Sequence, residues 1–189
     1  GGINKLEARS LRFKEDMHAV WGTSAEDVWW AGAKGRVLHF NGSILVPRDS
    51  GTDKDLHGVW GRSSSDVWFA GKGVILHYNN GKFFNRTPKN LTEPFFRTVH
   101  APADGSTVVI AGNDGLVMRV LDDGTLHKEA TNSGVKVYGL FAVNAGVIWG
   151  MGSGGQALRL SGGTWSETTM PSGNGIIAGI TGAQLEGKT

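Results

Sequence analysis

The sequence predicts an all-β fold assembled from repeated four-stranded antiparallel sheets, and three observations carry that expectation. Gly supplies 30 of the 189 residues and Pro only 5, against an ordinary Gly share of about 7%, which reads as many tight turns in a packed chain. Trp occurs 7 times and Phe 8 times, while the strong helix formers are too scattered to sustain long helices. Most telling, a stretch of 15 residues occurs twice with little change, at an offset of 39.

The two copies are His18-Ala-Val-Trp-Gly-Thr-Ser-Ala-Glu-Asp-Val-Trp-Trp-Ala-Gly32 and His57-Gly-Val-Trp-Gly-Arg-Ser-Ser-Ser-Asp-Val-Trp-Phe-Ala-Gly71. Each continues into a shared second segment, Gly35-Arg-Val-Leu-His-Phe-Asn-Gly42 and Gly73-Val-Ile-Leu-His-Tyr-Asn-Asn-Gly81. Two degraded copies follow, one from Arg97 through Thr107 to Ala111 and Gly115 to Val120, the other from Tyr138 through Gly146 to Gly152 and Gln156 to Leu160. Aligned on Val20, Val59, Val99 and Leu140, the repeats are spaced by 39, 40 and 41 residues.

Within each unit four short strands follow one another. In the first, strand A lies around Val20-Trp21, strand B over 28–31, strand C over 37–40 and strand D over 43–46. Asn-Gly, Asp-Gly and Gly-Gly pairs separate the strands as hairpin turns require. Strands B and C are apolar on both faces, with Trp29 and Trp30 adjacent; a sheet covered on one side would not tolerate this, whereas one sandwiched between two others would. A four-stranded repeat of this length is the signature of a β-propeller blade.

The predicted architecture is therefore a β-propeller with four complete blades, at about 18–56, 57–96, 97–137 and 138–176. A partial blade would combine 1–17, which carries a lone strand D, with 177–189, where Ile177 to Gly182 reads as a fifth strand A. That frame is the one expected of part of a larger ring; a four-blade ring with two loose end strands is the competing expectation.

The charge pattern excludes several functional classes. Nineteen Lys and Arg against 17 Asp and Glu leave a formal charge of +2, which is no electrostatic footprint for nucleic acid. The absence of Cys removes disulfides, thiolate zinc sites and thiol catalysis. Apolar runs such as Val108–Ala111 and Ile176–Ile180 fall far short of the ~20 residues of a membrane span. Gly182-Ala-Gln-Leu-Glu-Gly-Lys-Thr189 formally fits the phosphate-loop pattern, but the repeat alignment places Gly187 to Thr189 at the start of a strand B instead of a helix.

The two strong copies, with Val-Trp-Gly, Ser-x-x-Asp-Val-Trp or Ser-x-Ser-Asp-Val-Trp, Ala-Gly, Leu-His and Asn-Gly, resemble the bacterial β-propeller repeats of the WD-repeat, YVTN and BNR-like superfamily. The resemblance implies a propeller over nearly all of residues 3–182 and a secreted or surface-associated bacterial protein. The sialidase branch carries an Asp-box, Ser-x-Asp-x-Gly-x-Thr-Trp, in the turn between strands C and D. Those turns here, at 41–44, 80–83, 123–126 and 162–165, do not match it, so sialidase activity does not carry over.

Three sets of residues stand out. His39 and His77 share one place in strand C, and Asp27 and Asp66 share one place before strand B. An imidazole donating to a carboxylate across adjacent strands would satisfy both groups and lock the turn, as the His and Asp of WD repeats do. In the third and fourth units Thr107 and Val147 replace the Asp, while Arg119 and Arg159 replace the His; loss of both together fits a structural pair. Aromatics at a repeating register, Trp29, Trp68 and Trp149 in strand B and Trp21, Trp60 and Phe141 in strand A, are expected to pack between blades. Finally His18, His57, Arg97 and Tyr138 open the four strands A. Because strand A lines the axis of a propeller, these four should converge at one mouth of the channel, making them the candidate ligand site.

The segment from Lys82 to Arg97 mixes Arg86, Lys89 and Arg97 with Phe83, Phe84, Phe95 and Phe96. It reads as a long D-to-A connection whose aromatics tuck between blades.

No nucleophile recurs beside the His/Asp positions, and the loop acids form no facing carboxylate pair of the kind glycosidases use. The expected function is thus non-enzymatic: a binding or scaffolding propeller that holds a protein or glycan partner through blade-edge loops or the channel mouth, without cofactor or metal. The alternatives are a carbohydrate-active domain, or a structural component that associates with itself or has its ring completed by another chain. The expected location is outside a bacterial cell or on its surface.

Overall fold

The structure, a computed structural model, describes residues 14–169. The expected strands at the two ends of the chain and the phosphate-loop-like segment from Gly182 to Thr189 lie outside the described residues.

Among the described residues, sixteen strands form four separate four-stranded sheets. The first contains β1 (Met17–Ser24), β2 (Asp27–Gly32), β3 (Val37–Phe40) and β4 (Leu45–Arg48). The second contains β5 (Leu56–Ser63), β6 (Asp66–Gly71), β7 (Val74–Asn79) and β8 (Lys82–Asn85). β9 (Phe96–His100), β10 (Val108–Gly112), β11 (Val117–Val120) and β12 (Leu126–Lys128) form the third, and β13 (Val137–Asn144), β14 (Val147–Gly152), β15 (Gln156–Ser161) and β16 (Thr164–Thr169) the fourth. Each sheet is an antiparallel meander in sequence order, and the first strands of successive sheets pack side by side. The protein is an all-β propeller whose described sheets do not close into a ring.

What joins the blades is the two-sided apolar character of their inner strands. Neighbouring residues of an extended strand point to opposite faces, so Trp68 and Phe69 of β6 enter different cores. Phe69, with Val67, Leu76 and Tyr78, meets Trp29, Ala31 and Val37 of the first blade. Trp68, with Ala70 and Ile75, meets Phe96, Ile110 and Met118 of the third. A third core joins Val109, Ala111 and Val117 to Ile148, Leu158 and Trp165 of the fourth blade. Each fully buried Trp removes some 150–250 Å² from water, so the inter-blade layers dominate the fold's hydrophobic stabilisation.

The equivalent positions Val20, Val59, Val99 and Leu140 show how far this packing depends on a preceding blade. Val59, Val99 and Leu140 are buried, whereas Val20 is 62% exposed. It lies on the face of the first blade turned away from the second.

Turn chemistry sets the strand limits. Asn80 (φ 45°) and Gly81 (φ 91°) supply the two left-handed residues of the β7–β8 hairpin. In the first blade the last strand runs over Leu45–Arg48, two residues later than the sequence suggests. The cause is Asn41, whose side-chain oxygen accepts hydrogen bonds from the N–H groups of Ser43 (3.1 Å) and Ile44 (3.0 Å) and lengthens the turn.

One backbone device recurs in all four blades. The carbonyls of Asp16, Asp55, Phe95 and Lys136 accept hydrogen bonds from the N–H groups of Ala33 (2.8 Å), Lys72 (2.9 Å), Asn113 (2.9 Å) and Ser153 (3.1 Å). This ties the entry to each first strand onto the turn that follows the second. A glycine sits at the crossing each time, and at Gly71 a Cβ would collide with the Asp55 carbonyl. The same crossing sets the height of the residue two positions later, which is His18, His57, Arg97 or Tyr138.

Candidate functional site at the channel mouth

The meander brings the entries of β1, β5, β9 and β13 to one end of the blades, beside the second-to-third-strand turns. There the four side chains predicted to converge form one continuous row. The imidazoles of His18 and His57 stack at 4.7 Å, only 20° from parallel. His57 lies 4.9 Å from the ring of Phe95. The Arg97 guanidinium stands between two aromatic faces, 4.4 Å from Phe95 and 4.8 Å from Tyr138, a cation–π arrangement on both sides. Arg97 Nε donates to Asn113 Oδ1 at 2.7 Å, which fixes the plane of the guanidinium.

The electrostatics of the row follow from its crowding. Burial, the neighbouring His18 and Arg97 push the His57 imidazole below its ordinary range, outweighing the opposing influence of Asp55. Asp55 Oδ1 accepts the Lys34 N–H at 2.9 Å. That hydrogen bond, helped by His57, His18 and Lys72 and opposed by burial, holds the Asp55 carboxyl below the usual range.

One step along the same strands lies a second row. Trp21 and Trp60 approach to 6.1 Å, Trp60 stacks on His100 at 4.2 Å, and His100 meets Phe141 edge-on at 5.7 Å. Trp21 and Trp60 are only partly buried and pack at the inner margin of the cores. His100 Nδ1 accepts the Ala142 N–H at 3.2 Å, and burial lowers its pKa to about 4.

The His/Asp positions are at the opposite end of the blades. His39 Nε2 donates to Asp27 Oδ1 at 2.6 Å, and His77 Nε2 donates to Asp66 Oδ1 at 2.8 Å. Each imidazole also lies flat on the Trp of the preceding strand, His39 on Trp29 at 3.9 Å and His77 on Trp68 at 4.1 Å. The second carboxylate oxygen is bound by Thr23 in the first blade (2.5 Å) and by Arg62 in the second (2.7 Å). Where the third blade has Arg119, no sequence pattern marks its partner. Arg119 Nε donates to Glu129 Oε1 at 2.5 Å, its Nη1 donates to the Ala145 carbonyl at 3.0 Å, and Glu129 Oε2 accepts from Trp165 Nε1 at 3.3 Å. The replacement ties the third blade to the fourth. In the fourth blade Arg159 lies over the Trp149 ring at 5.1 Å.

The basic and aromatic segment from Lys82 to Arg97 divides between these roles. Phe96 is fully buried and Phe83 packs against the first inter-blade core, while Phe84 is 41% exposed with Arg86 over its ring at 5.4 Å. Phe95 enters the mouth row instead of a core. Sequence reasoning missed it, together with Asn113 and Asp55. The available signal was position: Phe95 and Asp55 stand two residues before Arg97 and His57.

Among the described residues no group of three or more His, Cys, Asp or Glu is placed to hold a metal ion. Likewise, among the described residues no helix is long and apolar enough to cross a membrane.

No family model matches the chain, and no curated protein does either. Solved structures do match it. The chain is similar to YCF48 bound to D1 peptide (14% identity, 86% of this chain and 56% of that one, TM-score 0.66). It is also similar to catalytically inactive virginiamycin B lyase from Staphylococcus aureus with quinupristin (15% identity, 84% and 57%, TM-score 0.70). A third match is the WD40 β-propeller domain of Doa1 (16% identity, 84% and 54%, TM-score 0.65). The chain thus spans a little over half the length of each of these three proteins. At such identities the likeness concerns the fold, and the chain is a β-propeller repeat protein.

Proposed function

We propose that this chain is a non-enzymatic binding propeller that holds a segment of a protein partner across the channel mouth formed by His18, His57, Arg97 and Tyr138. The observation that carries the reading is the unbroken row of stacked rings with a cation held between two of them. Such a surface offers large flat faces at little entropic cost together with oriented donors, the composition that recognition hot spots favour. The solved complex of YCF48 with D1 peptide supports the reading by analogy of fold, as a propeller that holds a peptide.

The strand-opening residues serve the partner, and the His39/Asp27 and His77/Asp66 pairs hold the blades. The blade limits are those of the repeat. The repeats' likeness to bacterial surface propellers favours a place outside the cell. A glycan partner remains the subsidiary reading, favoured by the same ring faces.

The test is selection of random displayed peptides on the chain, repeated on a variant carrying His57→Ala, Arg97→Ala and Tyr138→Ala whose fold is checked by near-UV circular dichroism. Enriched peptides should lose at least about tenfold in affinity for the variant. Selections that yield nothing, or peptides indifferent to the three substitutions, would refute the proposal. A concentration-dependent multimer that the substitutions leave intact would then favour the assembly reading.

A further inference from the structure

Arg97 differs from the other arginines that face acids. Arg36, Arg62 and Arg119 each pair with a carboxylate, of Glu15, Asp66 and Glu129 respectively. Arg97 is half-buried and held on both faces by rings, yet among the described residues no carboxylate lies within ion-pair distance of it. Its guanidinium donates through Nε to Asn113. A guanidinium carries five N–H donors in one plane, so the Nη edge is left oriented and unsatisfied by the protein. The fork geometry of that edge matches a carboxylate.

Two residues of that environment, Phe95 and Asn113, also wall an adjoining cleft of about 330 Å³. Leu91, Leu116 and Lys128 also line the cleft, together with Glu93 and Asp114. Its size suits one amino-acid side chain with its backbone. The two acids disfavour a second negative charge there and can accept backbone N–H groups.

We infer that the Nη edge of Arg97 receives a carboxylate of the partner peptide, and that the cleft beyond Phe95 and Asn113 takes the residue adjoining it. This rests on the binding function proposed above and names the chemistry it recognises. The carboxylate is that of a chain terminus or of an Asp or Glu side chain.

The experiment is an NMR titration of the full chain that follows the Arg97 Nε–H resonance and, in every variant, the backbone amides of Phe95 and Asn113, with three N-acetylated tripeptides as probes. These are Gly-Ser-Leu with a free C-terminus, the same peptide as its amide, and the amide of Gly-Ser-Glu. The expected result is a shift of that resonance and at least about tenfold tighter binding of one or both carboxylate probes than of the neutral amide. Tighter binding of the free terminus assigns a chain end, and tighter binding of the Glu amide a side chain. Arg97→Gln should abolish the preference, and Arg97→Lys, which keeps the charge without the planar fork, should restore it only in part.

Equal binding of all three probes, or a preference that survives Arg97→Gln, would overturn the inference. If displayed peptides bind the mouth but share no carboxylate requirement, the carboxylate site falls and the binding function stands. If no displayed peptide depends on the mouth, the binding function itself falls.

Discussion

Replacing Asp66 by Asn tests whether the His/Asp pair holds a blade together. The Asp66 carboxylate accepts from His77 Nε2 at 2.8 Å through one oxygen and from Arg62 at 2.7 Å through the other. His77 is only 6% exposed and lies against the buried Trp68 ring, so its N–H has no water to turn to. An Asn offers one acceptor oxygen for these two donors and sets its NH₂ against the other. A hydrogen bond to a charged group contributes about 1.5–3 kcal/mol, and a buried donor left unpaired costs about 1–3 kcal/mol. The exposed Arg62 contact adds no more than about 0.5 kcal/mol. The expected loss is about 2 kcal/mol, nearly all of it through His77. Urea unfolding followed by Trp fluorescence measures it, and a double-mutant cycle with His77→Phe isolates the coupling. Because stability in repeat folds is a sum of local and neighbour terms, hydrogen exchange over 57–85 should localise the loss to the second blade. A change below about 0.5 kcal/mol, or a coupling energy near zero, would refute the structural role of the pair.

Three further outcomes are expected. His100 has a folded pKa of about 4, below the ordinary value of 6.5 because of burial. The unfolded chain therefore binds the proton first, and stability should fall as pH drops from about 6.5 towards 4, by about 3 kcal/mol at most; His100→Phe should flatten that segment of a pH–stability profile, while an NMR titration of His100 should show no protonation until near pH 4. Gly71→Ala drives a methyl group into the Asp55 carbonyl and should cost about 3 kcal/mol or more, whereas Gly73→Ala, with φ 71° and open space around it, should cost about 1 kcal/mol; thermal melts of the two variants give the comparison. Glu129→Gln loses the Arg119 ion pair and weakens the link to Trp165, so hydrogen exchange should rise at the interface of the third and fourth blades, over 137–169, with a stability loss of about 1–3 kcal/mol.

The extent to which sequence sufficed differs from feature to feature. The 39-residue echo between His18–Gly32 and His57–Gly71 is legible because each blade repeats one packing problem, two buried faces and four short strands. The sequence places Asp27 and His39 on adjacent strands through an antiparallel register, Trp29 opposite His39, that hairpin geometry imposes locally. It also points His18, His57, Arg97 and Tyr138 towards the axis, because each opens the innermost strand of its unit. These inferences require only short-range geometry and the identity of the repeats.

What the sequence leaves open lies between the blades. Glu129, which pairs with Arg119 of its own blade, reaches Trp165 across an interface where no repeated spacing marks it. Phe95 belongs to a connection with no regular pattern, and only the backbone crossing at Gly112 turns it into the mouth beside Arg97. Whether Val20 is covered or exposed depends on what stands in front of the first blade, not on its own strand. The periodicity of a repeat encodes the blade, because every blade must bury the same two faces. The pairing of side chains from different blades is fixed only when those faces are stacked, and it is there that the ring row of the mouth and the plane of the Arg97 guanidinium are decided.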